Sequence, residues 1–420
     1  MPQVARRLGL LDVFAIGVNA IVGSGVFSIP DDMQRSMGGW SPLAFLLCAV
    51  VLLPVALCFA ELAGSSDRSG GPYLYALRAF GPRVGFFVGW SSYLNAFVSF
   101  AANATLFVEL VGFSGPLSKL AVIGVVGLLG AINYVGIRPG ALVVRLMVIG
   151  KVLAILCFVI AALGHVDPSR LGGPLPEGAS GVANGIYLAL FPLQGFEVVP
   201  VPAGETRDPE RSVPIGTVGS LLFAAVLFVI VQAVLASSYD DIAVVSGTPL
   251  VDAAKRLGPT IGLVVLVGSI VSVGGFTAGS ALGSPRYAQA MAEHGQLPIA
   301  LASVHARFGT PHVAIALTTL VTAGLGSLYT YRELVGFSNV MVVLQYGLTC
   351  LAVPVLRRRE PGAKSSYRVP FGPVLPILGA LGSVALLSGA NRAEAVFAAI
   401  ALAIGAAVLV AIERLAKPRA

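Results

Sequence analysis

The stretch AIVGSGVFSIP, residues 20–30, interrupts an otherwise even apolar helix pattern. Gly23, Ser24 and Gly25 stand where a membrane-length helix calls for strong helix formers, and Gly there costs about 1 kcal/mol against Ala. Pro30 then stops the segment. Hydrocarbon offers no partner to loosened backbone, so a break at this depth needs a compensating reason.

The surrounding composition sets the depth. Of the 420 residues 56% are apolar and 11% charged, and mean hydropathy is +0.88. A soluble domain carries about 25% charged residues. Twelve apolar runs are read: 8–30, 40–63, 84–112, 116–136, 141–164, 179–204, 213–236, 257–283, 312–330, 333–356, 370–390 and 394–413. Each reaches the ~20 residues that a helix needs to cross the hydrocarbon core. The chain is therefore read as an all-α membrane protein of twelve transmembrane helices, with no soluble domain attached.

Charge then orients it. With the N-terminus in the cytoplasm, nineteen of the 27 lysines and arginines fall inside, seven outside, and Lys151 lies within a span. That bias follows the positive-inside rule for an even number of spans, placing both termini on the cytoplasmic side of the inner (cytoplasmic) membrane. The basic excess is topological and implies no nucleic-acid partner. Cys48, Cys58, Cys157 and Cys350 all lie in apolar segments. No disulfide framework, metal site or cofactor is expected. The first run is too long for a signal peptide and lacks an Ala-x-Ala-like cleavage site.

A second run is also interrupted. FPLQGFEVVPVP, residues 191–202, sets Pro192, Gly195, Pro200 and Pro202 beside the acidic Glu197. Small-residue helix packing would account for one break. Breaks at matching positions of two five-helix halves point instead to an inverted-repeat transporter. The halves are read as 1–165 (helices 1–5) and 166–360 (helices 6–10), with 361–420 holding helices 11 and 12 and a cytoplasmic tail.

The segment GVNAIVGSGVFSIP (17–30) is similar to the first-helix signature of the amino acid–polyamine–organocation (APC) superfamily. FAELAGSSDRSGGPYLYALRAFG (59–81) resembles its second-helix end and following loop. FPLQGFE with GETRDPERSVP (191–214) resembles its sixth helix and exit loop, and SPRYAQAMAEHGQLP with FGTPHVAI (284–315) its loop between helices 8 and 9. The resemblance implies the LeuT-like fold, a 5+5 inverted repeat with broken helices 1 and 6 plus two extra helices.

A zwitterionic amino acid would satisfy both kinds of loosened backbone. Its carboxylate suits the N–H groups opening the second half of helix 1, where the helix dipole favours an anion. Gly23 and Gly25 admit a ligand close to the backbone, Ser24 adds a hydroxyl, and carbonyls around Ile21 and Val22 suit the ammonium. The resemblance adds the carbonyls of Phe191 and Gln194 beside Gly195, and makes Phe191 the aromatic covering the substrate. Candidate pocket walls are Tyr93, Asn95 and Ser99 on helix 3, Phe276 and Thr277 on helix 8, and Ser338 on helix 10.

Charges at bilayer depth need a role, since each costs about 2.5–3.5 kcal/mol on the insertion scale. The resemblance puts the Lys151 ammonium in the place of a sodium ion bridging helices 1, 5 and 8. Desolvation penalises a charged amine, which also makes Lys151 a candidate proton carrier. The alternative is that Lys151 snorkels to the surface. Glu197 is read either as proton-sensitive or as a partner for loose backbone. Glu61 and Glu205 are read as an inner gate, paired with Arg78, Arg83 or Arg207; Asp12, Arg145 and Glu109 are read as interface residues.

The functional expectation is a sodium-independent secondary transporter that moves an amino acid by alternating access, through proton symport or exchange. No mid-membrane acid is read on helices 3, 8 or 10, which favours neutral substrates. The alternatives are an amino acid/polyamine antiporter for cationic substrates and a non-transporting receptor. His165, His294, His305 and His312 fall in or beside loops and no HExxH occurs, so no enzyme is expected. The partners are the substrate, protons and the bilayer, with the oligomeric state left open.

Overall fold

The computed structural model describes residues 8–64, 71–136, 141–200, 206–239, 247–361 and 367–416. Among these, every regular element is helical, and the one β-type pairing is an isolated bridge between Leu8 and Thr206. The first apolar run becomes three helices, α1 (Leu10–Ile21), α2 (Gly25–Ser28) and α3 (Pro30–Met37). Then come α4 (Pro42–Gly64), α5 (Gly71–Phe80), α6 (Pro82–Leu110), α7 (Pro116–Val135), α8 (Ala141–Ala162) and α9 (Gly178–Leu193). The chain continues with α10 (Pro209–Ser238), α11 (Pro249–Leu257), α12 (Pro259–Glu293) and α13 (His312–Leu328). It closes with α14 (Tyr331–Arg359), α15 (Val374–Leu386) and α16 (Arg392–Ala416).

Nine helical segments among the described residues are long and apolar enough to cross a membrane, and His312–Leu328 and Val374–Gly389 are shorter apolar helices. Proline opens α3, α4, α6, α7, α10, α11 and α12. A first-turn N–H has no intrahelical partner, so its loss there is harmless. This corrects the expectation for Pro30. It does not stop the first run but starts α3, which carries the segment on to Met37.

The first break is a tight turn. Val22, at φ −77° and ψ 77°, lets the Gly23 N–H reach the Ile21 carbonyl at 2.8 Å, an inverse γ-turn after which α2 begins at Gly25. The second break follows α9. Gln194 is extended, and Gly195, at φ +120°, occupies a region that side chains avoid. A 3-10 turn over Phe196–Val198 follows.

α6 packs along α12 and α14, α4 along α10, α1 along α10, α8 along α12 and α7 along α13. The short α5 lies on α6 and touches the 3-10 turn after the second break, while the short α11 lies on α12 and touches α2 and α3 after the first. α16 turns Val396, Ile400, Ile404 and Val410 outward.

The two breaks meet. A Cβ on Gly25 would lie 2.5 Å from Pro192 Cγ, and one on Gly195 would lie 2.5 Å from the carbonyl of Ala20. Gly195→Ala therefore combines a forbidden backbone angle with an overlap against main chain, and should cost about 2–4 kcal/mol. Its apparent Tm in detergent should fall by several degrees, whereas Gly124→Ala on exposed α7, with nothing within 4 Å, should leave it unchanged or slightly raised. Equal melting of the two variants would contradict the contact.

Candidate functional site

The carbonyls loosened at the first break are held by side chains from two other helices. Lys151 of α8 is wholly buried, and its Nζ donates to the Val22 carbonyl at 2.7 Å and to that of Asn19 at 3.3 Å. Ser272 of α12 donates to the carbonyls of Val22 and Gly23 at 3.1 and 3.0 Å. Lys151 thus points into the bundle rather than snorkelling outward. α1, α8 and α12 are joined at one point.

The amide side of the same break stays open. Among the described residues, no hydrogen bond takes up the N–H groups of Ser24, Gly25 or Val26. The Ser24 hydroxyl accepts from Tyr331 OH, at the start of α14, at 3.0 Å. The Phe191 ring stands edge-on to Tyr331, with centroids 6.2 Å apart. Phe276 of α12 lies over Gly23, its ring 3.2 Å from where a Cβ would be.

At the second break Glu197 is buried and its Oε2 accepts from the Gly195 N–H at 2.8 Å and from Tyr346 OH at 2.9 Å. It caps the loosened chain. Gln194 Nε2 donates to Asn339 Oδ1 at 2.7 Å, and Asn339 Nδ2 donates to the Tyr187 carbonyl at 2.9 Å. Ser99 and Ser338 hydroxyls are 2.9 Å apart, and Ser338 donates to Asn95 Oδ1 at 2.6 Å. Asn95, Ser99, Ser338 and Gln194 therefore form one polar group between α6, α14 and the break. Tyr93 and Thr277 do not join it: Tyr93 OH meets Thr318 of α13 at 2.9 Å, and Thr277 donates to Val273 on its own helix.

The expected partner of Glu61 is corrected. Glu61 takes a two-pronged bond from Arg357 of α14, at 2.7 and 2.5 Å, and also accepts the Val369 N–H at 2.6 Å. Arg78 pairs with Glu360 and Arg83 with Glu413. The nearer candidates lose because helix packing, not sequence distance, brings α14 onto α4. Asp12 and Arg145 pair with each other at one end of the bundle. Glu205 lies outside the described residues. At the other end Arg332 donates to Asp31 and Asp32 at 2.6 Å each, tying α3 to α14.

The sequence reading passed over Ser272, Tyr331, Asn339, Tyr346 and Arg357. All but Ser272 lie on α14. The partners that tie them to the breaks and to Glu61 are between 145 and 307 residues away in the chain, so periodicity held no signal for them. Tyr331 alone carried a local hint, standing inside the Thr330–Glu333 capping box that starts α14.

A membrane-crossing helical bundle with two interrupted helices facing each other has the form of a membrane transport protein. The amino acid permease family model matches residues 8–411, and this chain belongs to that family, within the APC superfamily. It is 30% identical over 418 residues to the serine/threonine exchanger SteT of Bacillus subtilis, covering 96% of this chain and 95% of that one. It is 27% identical over 400 residues to the methylthioribose transporter of the same organism, covering 90% and 87%. Its identity to the branched-chain amino acid permease BcaP of Bacillus subtilis is 28% over 404 residues, again covering 90% and 87%.

Glu197→Ala would leave the Gly195 N–H and the Tyr346 O–H buried without partners, at about 1–3 kcal/mol each. Tyr346→Phe removes one of the two bonds and leaves no orphan donor, so it should cost less. Denaturant titration of the purified variants should rank them in that order; the reverse ranking would count against the cap.

Proposed function

We propose that this protein is a sodium-independent secondary transporter that carries a neutral amino acid by alternating access, with proton symport or exchange as the coupling. The observation carrying this reading is the open row of N–H groups at Ser24–Val26, set against the Gln194–Gly195 break. The substrate carboxylate takes those N–H groups, at the positive end of a half-helix. Its ammonium takes main-chain carbonyls at the second break, near Phe191 and Gln194, since that of Ile21 already accepts the Gly23 N–H. Relatives named for serine and threonine and for branched-chain amino acids support a neutral substrate.

The packing supports the inverted repeat. Exchanging helices 1–5 for 6–10 turns the α1–α10 contact into the α9–α4 contact, and α6–α14 into α12–α8. The same exchange carries α5 onto α11 and the chain after one break onto the chain after the other. The proposed division at 165 and 360 is supported by this symmetry, with α15 and α16 as additions outside it. Both termini are cytoplasmic, as the Lys and Arg bias requires.

Sodium independence rests on Lys151. Its ammonium sits on main-chain carbonyls that, with the Ser272 hydroxyl, would otherwise suit a small cation. A fixed positive charge there repels a second one. Lys151 and Glu197 remain the candidate proton carriers. Phe191, with Tyr331, is the outer lid. Glu61 and Glu205 belong to the inner gate.

Two measurements test the proposal. Uptake of labelled neutral amino acids into proteoliposomes should proceed undiminished without a sodium gradient, and a strict requirement for sodium would overturn the role of Lys151. In thermal-shift titrations the free amino acid should stabilise the purified protein and its amide should not. Equal stabilisation would remove the carboxylate contact and favour a cargo without that group, as the name of the methylthioribose transporter describes.

A further inference from the structure

We propose that the Asn95–Ser99–Ser338–Gln194 group reads the side chain of the cargo and selects a hydroxyl or carboxamide over an apolar group of the same shape. The inference rests on the amino acid transport reading above and names the substrate class within it.

The direction of the hydrogen bonds carries the argument. Ser338 gives its proton to Asn95 Oδ1 at 2.6 Å, so Ser99 must be the donor in the 2.9 Å bond between the two hydroxyls. Gln194 spends its amide nitrogen on Asn339 Oδ1. Two polar atoms are left over at the ends of this chain. Asn95 Nδ2 has no donor contact to any described residue, and Gln194 Oε1 has only the Ser338 hydroxyl at 3.4 Å, whose proton is already committed. An unfilled amide NH2 and an unfilled acceptor oxygen complement a hydroxyl, which accepts one bond and donates another, and equally a carboxamide.

Exposure sets Asn95, Ser99 and Gln194 apart from the Ser338 that bridges them. Ser272, Thr277 and Ser338 are sealed at 0%, whereas Asn95, Ser99 and Gln194 keep 9%, 8% and 8% of their surface, as Phe191 keeps 8%. They are not fully sealed into packed core. The group adjoins the cradle, because Gln194 precedes Gly195, which abuts Ala20, and Gly25 abuts Pro192.

The charged groups nearby are engaged elsewhere. Glu197 is taken by Gly195 N–H and Tyr346 OH, and Lys151 by the carbonyls of α1. The wall is thus neutral, which disfavours cationic and anionic side chains. An apolar side chain would leave Asn95 Nδ2 and Gln194 Oε1 facing it unpaired. Sites built to hydrogen-bond a hydroxyl discriminate strongly against the analogue that lacks it.

The test uses isosteric pairs on the purified full chain in detergent, by calorimetric or thermal-shift titration: L-threonine against L-valine, and L-asparagine against L-leucine. Threonine and asparagine should bind at least ~10-fold more tightly than their apolar partners, a modest demand for a hydroxyl-reading site. Ser338→Ala and Asn95→Leu should each narrow the threonine:valine ratio; if either variant fails to fold, the wild-type ratios decide alone. Valine and leucine binding as well as threonine and asparagine would overturn this inference and leave amino acid transport standing. No binding of any amino acid would overturn both.

Discussion

The Val22 carbonyl is the point on which the described structure hinges. A helix broken within the bilayer leaves peptide groups that lipid cannot solvate, each costing several kcal/mol if left bare. Here Lys151 and Ser272 converge on that carbonyl from α8 and α12. An ammonium is a strong donor, and among the described residues the main-chain oxygens of Asn19 and Val22 compensate for its burial. The two liabilities offset each other. Break and lysine are stable together, and each alone would be a defect.

The second break is managed differently. Its loosened N–H is capped from within the same segment, by Glu197, and the carboxylate is steadied by Tyr346 of α14. α14 in fact serves both breaks along its length. Tyr331 reaches Ser24, Ser338 and Asn339 meet the Gln194 side chain, and Tyr346 meets Glu197. Further along, Arg357 clamps Glu61. Positions 331, 338 and 346 fall within an arc of about 80° around the helix at 3.6 residues per turn, so one side of α14 touches both breaks. Any tilt of α14 must alter the closure of both ends of the bundle.

This arrangement explains which groups are left unfilled. The carbonyl side of the first break is saturated by protein, while the amides at Ser24–Val26 are not. Open amides favour an anion, while the carbonyls of the first break are already occupied. The small residues at the crossing are equally constrained. Gly25 against Pro192 and Gly195 against Ala20 allow the two chains to approach as closely as main chain permits.

Membrane residence, the helical runs, the two breaks and the presence of one lysine within an apolar span were all legible in the sequence, because each depends on local composition and spacing. The grouping of Asn95, Ser99 and Ser338 was legible as polar residues within apolar spans. That Tyr93 and Thr277 turn elsewhere was not, since the register of a helix about its axis is fixed by its neighbours. The partners of Glu61, and the seat of the Lys151 ammonium on Val22 rather than at the surface, were decided only when α4, α8, α12 and α14 packed around α1. Such pairings join residues hundreds of positions apart, and one chain's order carries no measure of that nearness. The sequence determined where the backbone would come apart; the tertiary packing decided which of its freed groups are taken by protein and which stay open.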